Sequence, residues 1–485
     1  MSRRPGLKLA SLIALALAVT LAPTFAQFAT RPALAATPTH VAETVMLAKG
    51  TPYETPLYVI HGTEPGPAVM VVAGVNGQQP GGVAAAQVAA TYRIQSGTLL
   101  VLPEANKQAI EADVPWISGG INLQTAFPTS KTDAPNGDLA SAVWSAVKQY
   151  GVDYLIDLHE SGTYYTGGYT SATMGQTVLY EPTAAGTALA KSAVTAANAA
   201  ATRPFTLVKS SPKGSLPRAA SDYLGVTALT LRTTTTEALP QRTAQAVAGL
   251  NAVLTAAGIQ FNRVEVVTVA AGTKYATDLY VFDSGVPGPT FMIVGGVHGN
   301  EPAGYGAALQ FKDEVMIKAG RVLVLPQANI LGDSRKSRYV EGSTDLNRLF
   351  PDSKGEVPTH PLALAIWNVI KDYRVDYLVD FHEGYDYYSN PNNSAVGQTF
   401  IYYPSAEMQA LANSTVASLN KGIKDSYHQF KALRYPVPGS IARASGQFLG
   451  VKSAIIESVY PEPYAQRVGY LLQAMNHMLS TLGMK

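Results

Sequence analysis

The strongest constraint on this chain is that it says nearly the same thing twice. Residues 291–304 read FMIVGGVHGNEPAG and residues 69–82 read VMVVAGVNGQQPGG. The small and apolar positions agree, whereas His298 and Glu301 stand opposite Asn76 and Gln79. Three more pairs keep the same order. AKGTPYETPLYV (48–59) matches AAGTKYATDLYV (270–281), VDYLIDLHE (152–160) matches VDYLVDFHE (375–383), and SLPRAASDYLGV (215–226) matches SIARASGQFLGV (440–451). The offset drifts only from 222 residues at Asn76/His298 to 225 at Gly225/Gly450. Solenoid repeats have periods of roughly 20–50 residues, so the pattern implies tandem duplication of a whole domain. The expected units are residues 37–260 and 261–485, joined near residues 258–263.

Each copy alternates strand-like and helix-like segments. Residues 69–73 and 292–295 are short apolar runs beside glycine, followed by alanine-rich helical stretches at 84–90 and 303–311. Strands are expected again at 99–102 and 322–325, at 154–158 and 377–381 running into a histidine, and at 228–231 and 454–456. Helices close each copy near 241–257 and 464–482. Strands apolar on both faces need helices on both sides. The expected fold class is α/β: two tandem α/β/α sandwich domains, each a mostly parallel mixed sheet covered by helices. Ligands of such sheets bind beyond the carboxyl ends of the strands, where the polar residues of this chain gather.

Composition narrows the function. Of 485 residues, 47% are hydrophobic and 14% charged, which suits packed domains and argues against disorder. A net charge of +2 without a Lys/Arg-rich run gives no footprint for nucleic acid. With no cysteine there is no disulfide, thiolate metal site or cysteine nucleophile. Arg3, Arg4 and Lys8, an apolar run over 9–21, and Ala33-Leu34-Ala35 have the layout of a cleaved export signal at residues 1–36. The run is short for a membrane span, which takes about 20 residues. Residues 2–8 partly resemble a twin-arginine signal, but Gly6 stands where that signal carries a large apolar side chain, so a Sec route is favoured. The expected location is periplasmic, cell-wall-associated or extracellular, with no membrane span left after signal removal.

His298 and Glu301 follow a buried strand in a glycine-rich turn, and His382 ends a later one. Two imidazoles and a carboxylate can converge on one zinc ion and leave its fourth position open, the pattern of a catalytic site. In the first copy only His159 survives. Asn76 and Gln79 are poor zinc ligands, so one zinc per chain, in the second unit, is expected.

GVHGNEPAG, DLNRLFP (345–351), VDFHEG (379–384) and IIES (455–458) together resemble the zinc metallocarboxypeptidase superfamily, and within it the aspartoacylase/succinylglutamate desuccinylase branch. The likeness covers most of residues 264–485, and its scaffold without the reactive side chains covers 42–260. It implies that Glu457 is the general base that takes a proton from a zinc-activated water and returns it to the leaving amine. It implies that Asn347 and Arg348 hold a substrate carboxylate, a group that a guanidinium fork suits. Arg338 resembles the oxyanion arginine, with Arg335 as the alternative. The first copy has Gln124 and Thr125 in place of the clamp and Arg232 in place of the base.

Glu383, matched by Glu160, and Arg443, matched by Arg218, survive where the chemistry is lost, so they read as structural. Tyr385, Tyr387 and Tyr388 read as packing more than pocket wall, and His360, His428 and His477 as surface or core. The leading functional reading is an exported zinc hydrolase that cuts an amide bond next to a free carboxylate, on peptides, with cell-wall peptides among the candidates. Its substrate is a small molecule or peptide. A deacylase of N-acyl amino acids is the alternative. A non-catalytic cell-wall binding protein is a further one, which the intact site argues against.

Overall fold

A computed structural model describes residues 43–117, 120–168 and 171–485. The expected export signal lies outside the described residues. No described helix is long and apolar enough to cross a membrane.

The first half supplies β1 (Glu43–Leu47), β2 (Thr55–His61), β3 (Glu64–Ala73), β4 (Tyr92–Ile94), β5 (Ser96–Leu102), β6 (Tyr154–Ser161), β7 (Thr177–Tyr180), β8 (Thr206–Lys209) and β9 (Thr227–Thr234). The second supplies β10 (Phe261–Val269), β11 (Thr277–Asp283), β12 (Thr290–Val294), β13 (Arg321–Leu325), β14 (Tyr377–Gly384), β15 (Thr399–Tyr402), β16 (Lys431–Arg434) and β17 (Lys452–Val459). The eight-stranded sheet runs β1-β2-β5-β3-β6-β9-β7-β8. The nine-stranded sheet runs β10-β11-β13-β12-β14-β17-β15-β16, with β4 added beside β10. Apart from β4 the two orders correspond strand for strand. In both, the central strands are parallel and the flanking pairs mix antiparallel and parallel ladders.

The strands are apolar on both faces because both faces are covered. In β3, Val69 and Val71 join one buried cluster while Met70 and Val72 join the other. In β12, Phe291 and Ile293 part from Met292 and Val294 in the same way. Alternating side chains thus feed two cores per sheet. Each such buried side chain contributes about 1.5–3 kcal/mol.

The sheets do not divide wholly at residue 260. β4 pairs antiparallel with β10, Ile94 opposite Phe261 and Tyr92 opposite Arg263. The Tyr92 and Phe261 rings stack at 4.6 Å, and Arg93 donates to the Lys312 carbonyl at 2.7 Å. A strand of the first half thus extends the sheet of the second.

Candidate metal centre

The parallel strands β12, β14 and β17 end side by side and present the polar residues together. β12 runs into the turn that carries His298 and Glu301, and the helix Pro302–Glu314 starts directly after. Gly296 takes φ +66°, and a Cβ on Gly299 would lie 1.9 Å from the Gly332 carbonyl carbon, so this turn needs glycine at both places. His382 lies inside β14, one residue beyond the expected end of the strand, and Glu457 is its register partner in β17.

His298, Glu301 and His382 are all buried, and one ligand atom from each lies within 4.8 Å of the others. The two Nδ1 atoms are 3.1 Å apart. Glu301 reaches His298 Nδ1 at 2.7 Å and His382 Nδ1 at 2.8 Å. The far nitrogen of each ring rests on another carboxylate: His298 Nε2 on Asp345 at 2.9 Å and His382 Nε2 on Asp380 at 2.7 Å. With its proton at Nε2 against one of these acids, each ring would turn its Nδ1 lone pair toward the other ring and toward Glu301. Three electron-rich atoms brought face to face fit a divalent cation, and ligand histidines backed by carboxylates are the usual support of one.

The electrostatics agree. Burial alone would raise the Glu301 carboxyl, but His382 and His298 hold it well below the ordinary carboxylate range. Burial opposes the charged form of Asp345 too, and His298 and Arg338 overcome it. Burial would lower His382, but Asp380 and Glu301 raise it well above the ordinary histidine value. Glu457 goes the other way: burial pushes it up to about 8, Glu301 and Asp380 add to this, and His382 and Arg338 oppose it.

The other expected site residues lie around this cluster. Arg338 reaches Glu301 at 3.4 Å and Asp345 at 3.0 Å. Arg335 instead donates to the Leu331 and Val340 carbonyls, so Arg338 is the arginine at the cluster. Asn347 is buried, accepts from Ile441 N–H at 3.1 Å, and sets its amide nitrogen 3.3 Å from His382 Nε2. Arg348 is exposed, and it donates to its neighbour's carbonyl at 2.7 Å.

Asp345 and Asp380 were not singled out from sequence. The signal was present: Asp380 sits two residues before His382, on the same strand face, and Asp345 opens the DLNR motif. Glu383 accepts from Ala303 N–H at 2.7 Å and pairs with Arg467. Glu160 does the same with Gly81 N–H at 2.8 Å and Arg242 at 3.0 Å. Both glutamates cap a helix and anchor another, as their survival in both copies implied. Tyr387 packs against His428 and bonds Glu462. Tyr385 and Tyr388 are exposed, which corrects the packing expectation for those two.

Residues 287–413 match the family model of the succinylglutamate desuccinylase/aspartoacylase catalytic domain. Residues 43–179 match that of a carboxypeptidase controlling helical cell shape, catalytic part. No curated protein matches. Among solved structures, the mDAP-bound form of Helicobacter pylori Csd4, described as a D,L-carboxypeptidase, is 23% identical over 41% of this chain and 52% of that one, with TM-score 0.35. A succinylglutamate desuccinylase/aspartoacylase from Rhodobacter sphaeroides is 20% identical over 46% of this chain and 66% of its own, with TM-score 0.35. The product-bound ectoine utilization protein EutE (DoeB) from Ruegeria pomeroyi is 18% identical over 46% and 67%, with TM-score 0.36. The chain spans about half the length of the Csd4 structures it matches. The two family models describe hydrolase domains, and they fit the zinc carboxypeptidase-like aspartoacylase/succinylglutamate desuccinylase branch that the motifs resemble.

Proposed function

We propose that the chain is an exported hydrolase, with one zinc per chain, that cleaves an amide bond next to a free carboxylate. The supporting observation is the convergence of His298 Nδ1, His382 Nδ1 and Glu301, each imidazole backed by an acid. A zinc ion held there would polarise a substrate carbonyl and ease the deprotonation of water.

The chain's own residues supply the rest. The Glu457 side chain makes no hydrogen bond or ion pair among the described residues, and the residue stands beside His382 in the sheet. A carboxylate raised toward neutrality is a fit base for water. Glu457 takes one water proton as the oxygen attacks the carbonyl carbon. It passes that proton to the nitrogen as the C–N bond breaks, so the products are an acid and an amine. Arg338 donates to the oxygen that gains negative charge. Arg348, at the exposed rim, takes the substrate carboxylate with the help of Asn347, whose carbonyl is already engaged by Ile441.

Residues 37–260 and 261–485 are read as a tandem duplication whose first copy does not hydrolyse. Export rests on residues 1–36, and it favours a peptide, with those of the cell wall among the candidates. A second reading is favoured by one observation: the family model that matches the residues bearing all three ligands is the desuccinylase/aspartoacylase one. On that reading the bond cut joins an acyl group to an amino acid.

The test is a release assay on peptidoglycan fragments, simple peptides and N-acyl amino acids, with zinc counted in the same preparation. We expect about one zinc per chain and turnover that a chelator abolishes and zinc restores. Two tightly bound zincs, or chelator-resistant turnover, would refute the reading.

A further inference from the structure

The first half keeps a cavity of about 270 Å³ where its twin carries the metal cluster. Asn122, Gln124, Asp157, His159 and Arg232 line it. Arg232 occupies the position of Glu457: it is the register partner of His159 and of Thr177, as Glu457 is of His382 and Thr399. Only 5% of Arg232 is exposed, and its Nε is buried with no partner. No carboxylate forms an ion pair with it among the described residues. Asp157, the one acid of the cavity wall, gives one oxygen to His159 Nε2 at 2.8 Å, while its Oδ1 is buried without a partner. His159 Nδ1 is also buried and unpartnered.

Burying an unpaired charge costs several kcal/mol, and an arginine cannot escape by giving up its proton. A lysine or histidine in the same place could. The position therefore calls for an anion from outside the chain. Around it, Gln124 and Thr125 stand in place of Asn347 and Arg348, and Asn122 in place of Asp345, so the neighbouring groups are neutral. The cavity is below the usual size of a drug-like site but ample for a molecule of amino-acid size.

We infer that the first half is a receptor for a small carboxylate, held by the Arg232 guanidinium in a cavity that has lost its hydrolytic groups. The inference concerns a different site from the proposed metal centre and does not require that the second half hydrolyse anything. A planar carboxylate suits the guanidinium through two parallel hydrogen bonds. The acid of a peptide C-terminus or of an N-acyl amino acid has that form.

The experiment uses the full chain carrying Arg348→Ala, so that the rim clamp of the second half does not add a second carboxylate site. N-acetylalanine, N-acetylalaninamide and inorganic phosphate are titrated by calorimetry, and melting is followed with and without each. One equivalent of N-acetylalanine is expected to bind and to raise the melting temperature, while the amide does neither. Arg232→Met should weaken N-acetylalanine about 30-fold or more, and should melt higher than its parent when no ligand is present. Arg232→Gln, which keeps a donor but no charge, should likewise lose the ligand-induced rise. Unchanged N-acetylalanine affinity in either variant would overturn the inference. So would a ligand-free Arg232→Met chain that melts lower, since the guanidinium would then be serving the fold. Preference for phosphate over N-acetylalanine would overturn the carboxylate assignment.

Discussion

The two halves of this molecule share strand order, helix caps and buried glutamates, yet they treat charge in opposite ways. In the second half, four acids (Glu301, Asp345, Asp380 and Glu457) surround two histidines. In the first, Gln79, Asn122 and Arg232 replace three of those acids, and only the Asp157–His159 pair persists. One arrangement calls for a cation and the other for an anion. The scaffold tolerates both because its stability rests on the apolar cores of the two sheet faces, which neither set of changes touches. The polar groups at the strand ends are thus free to differ while the strands that hold them are not.

The comparison can be broken most directly at Glu457. Glu457→Gln gives the second half a neutral group at the base position, and turnover should fall by about a thousandfold or more while zinc content stays near one. Unchanged turnover would remove Glu457 from the chemistry and leave the difference from Arg232 without meaning. A smaller effect is expected from the acids behind the histidines. Asp345→Asn, which copies Asn122, should weaken zinc binding about 10- to 100-fold in a competition titration. The reverse change sharpens the same point. A chain with Asn76→His and Gln79→Glu should take up a second zinc weakly, and adding Asn122→Asp should tighten that second site. Equal uptake with and without Asn122→Asp would show that the backing carboxylate is dispensable.

The smallest expected effect concerns Asp333, whose carboxylate oxygens are buried, with Gln327 only partly offsetting that burial. It packs against Gly296 as Ile110 packs against Gly74 in the first half. Burial lifts its carboxyl from 3.8 to about 7. The folded state then binds more protons than the unfolded one. Its contribution is complete below the ordinary value and is lost as pH rises through about 7. Asp333→Asn should therefore stabilise the chain at pH 8, by on the order of 2 kcal/mol, and have little effect near pH 4. Denaturant melts at the two pH values check this, and an equal shift at both would contradict it.

The central strands and the grouping of His298, Glu301 and His382 are legible in the sequence because both obey local rules. Apolar runs such as 69–73 and 322–325 have no alternative to burial, and a histidine after such a run falls near the carboxyl end of the strand. Other features follow from pairing at a distance. Strands β6, β14 and β17 run on past their apolar stretches, through His159, His382 and Glu457, because neighbouring strands supply ladder partners there. Asp345 gains its meaning only when a loop 47 residues away is brought to His298. The three residues of β4 carry no mark that separates a strand of one sheet from a strand of the other.

That short strand has a lasting consequence. Cut the gene before β10 and the second half would be released with part of its outermost ribbon bare, its backbone amides ready to recruit a stranger. The first half thus covers an edge of the second half's sheet, and discarding it would expose what it now shields.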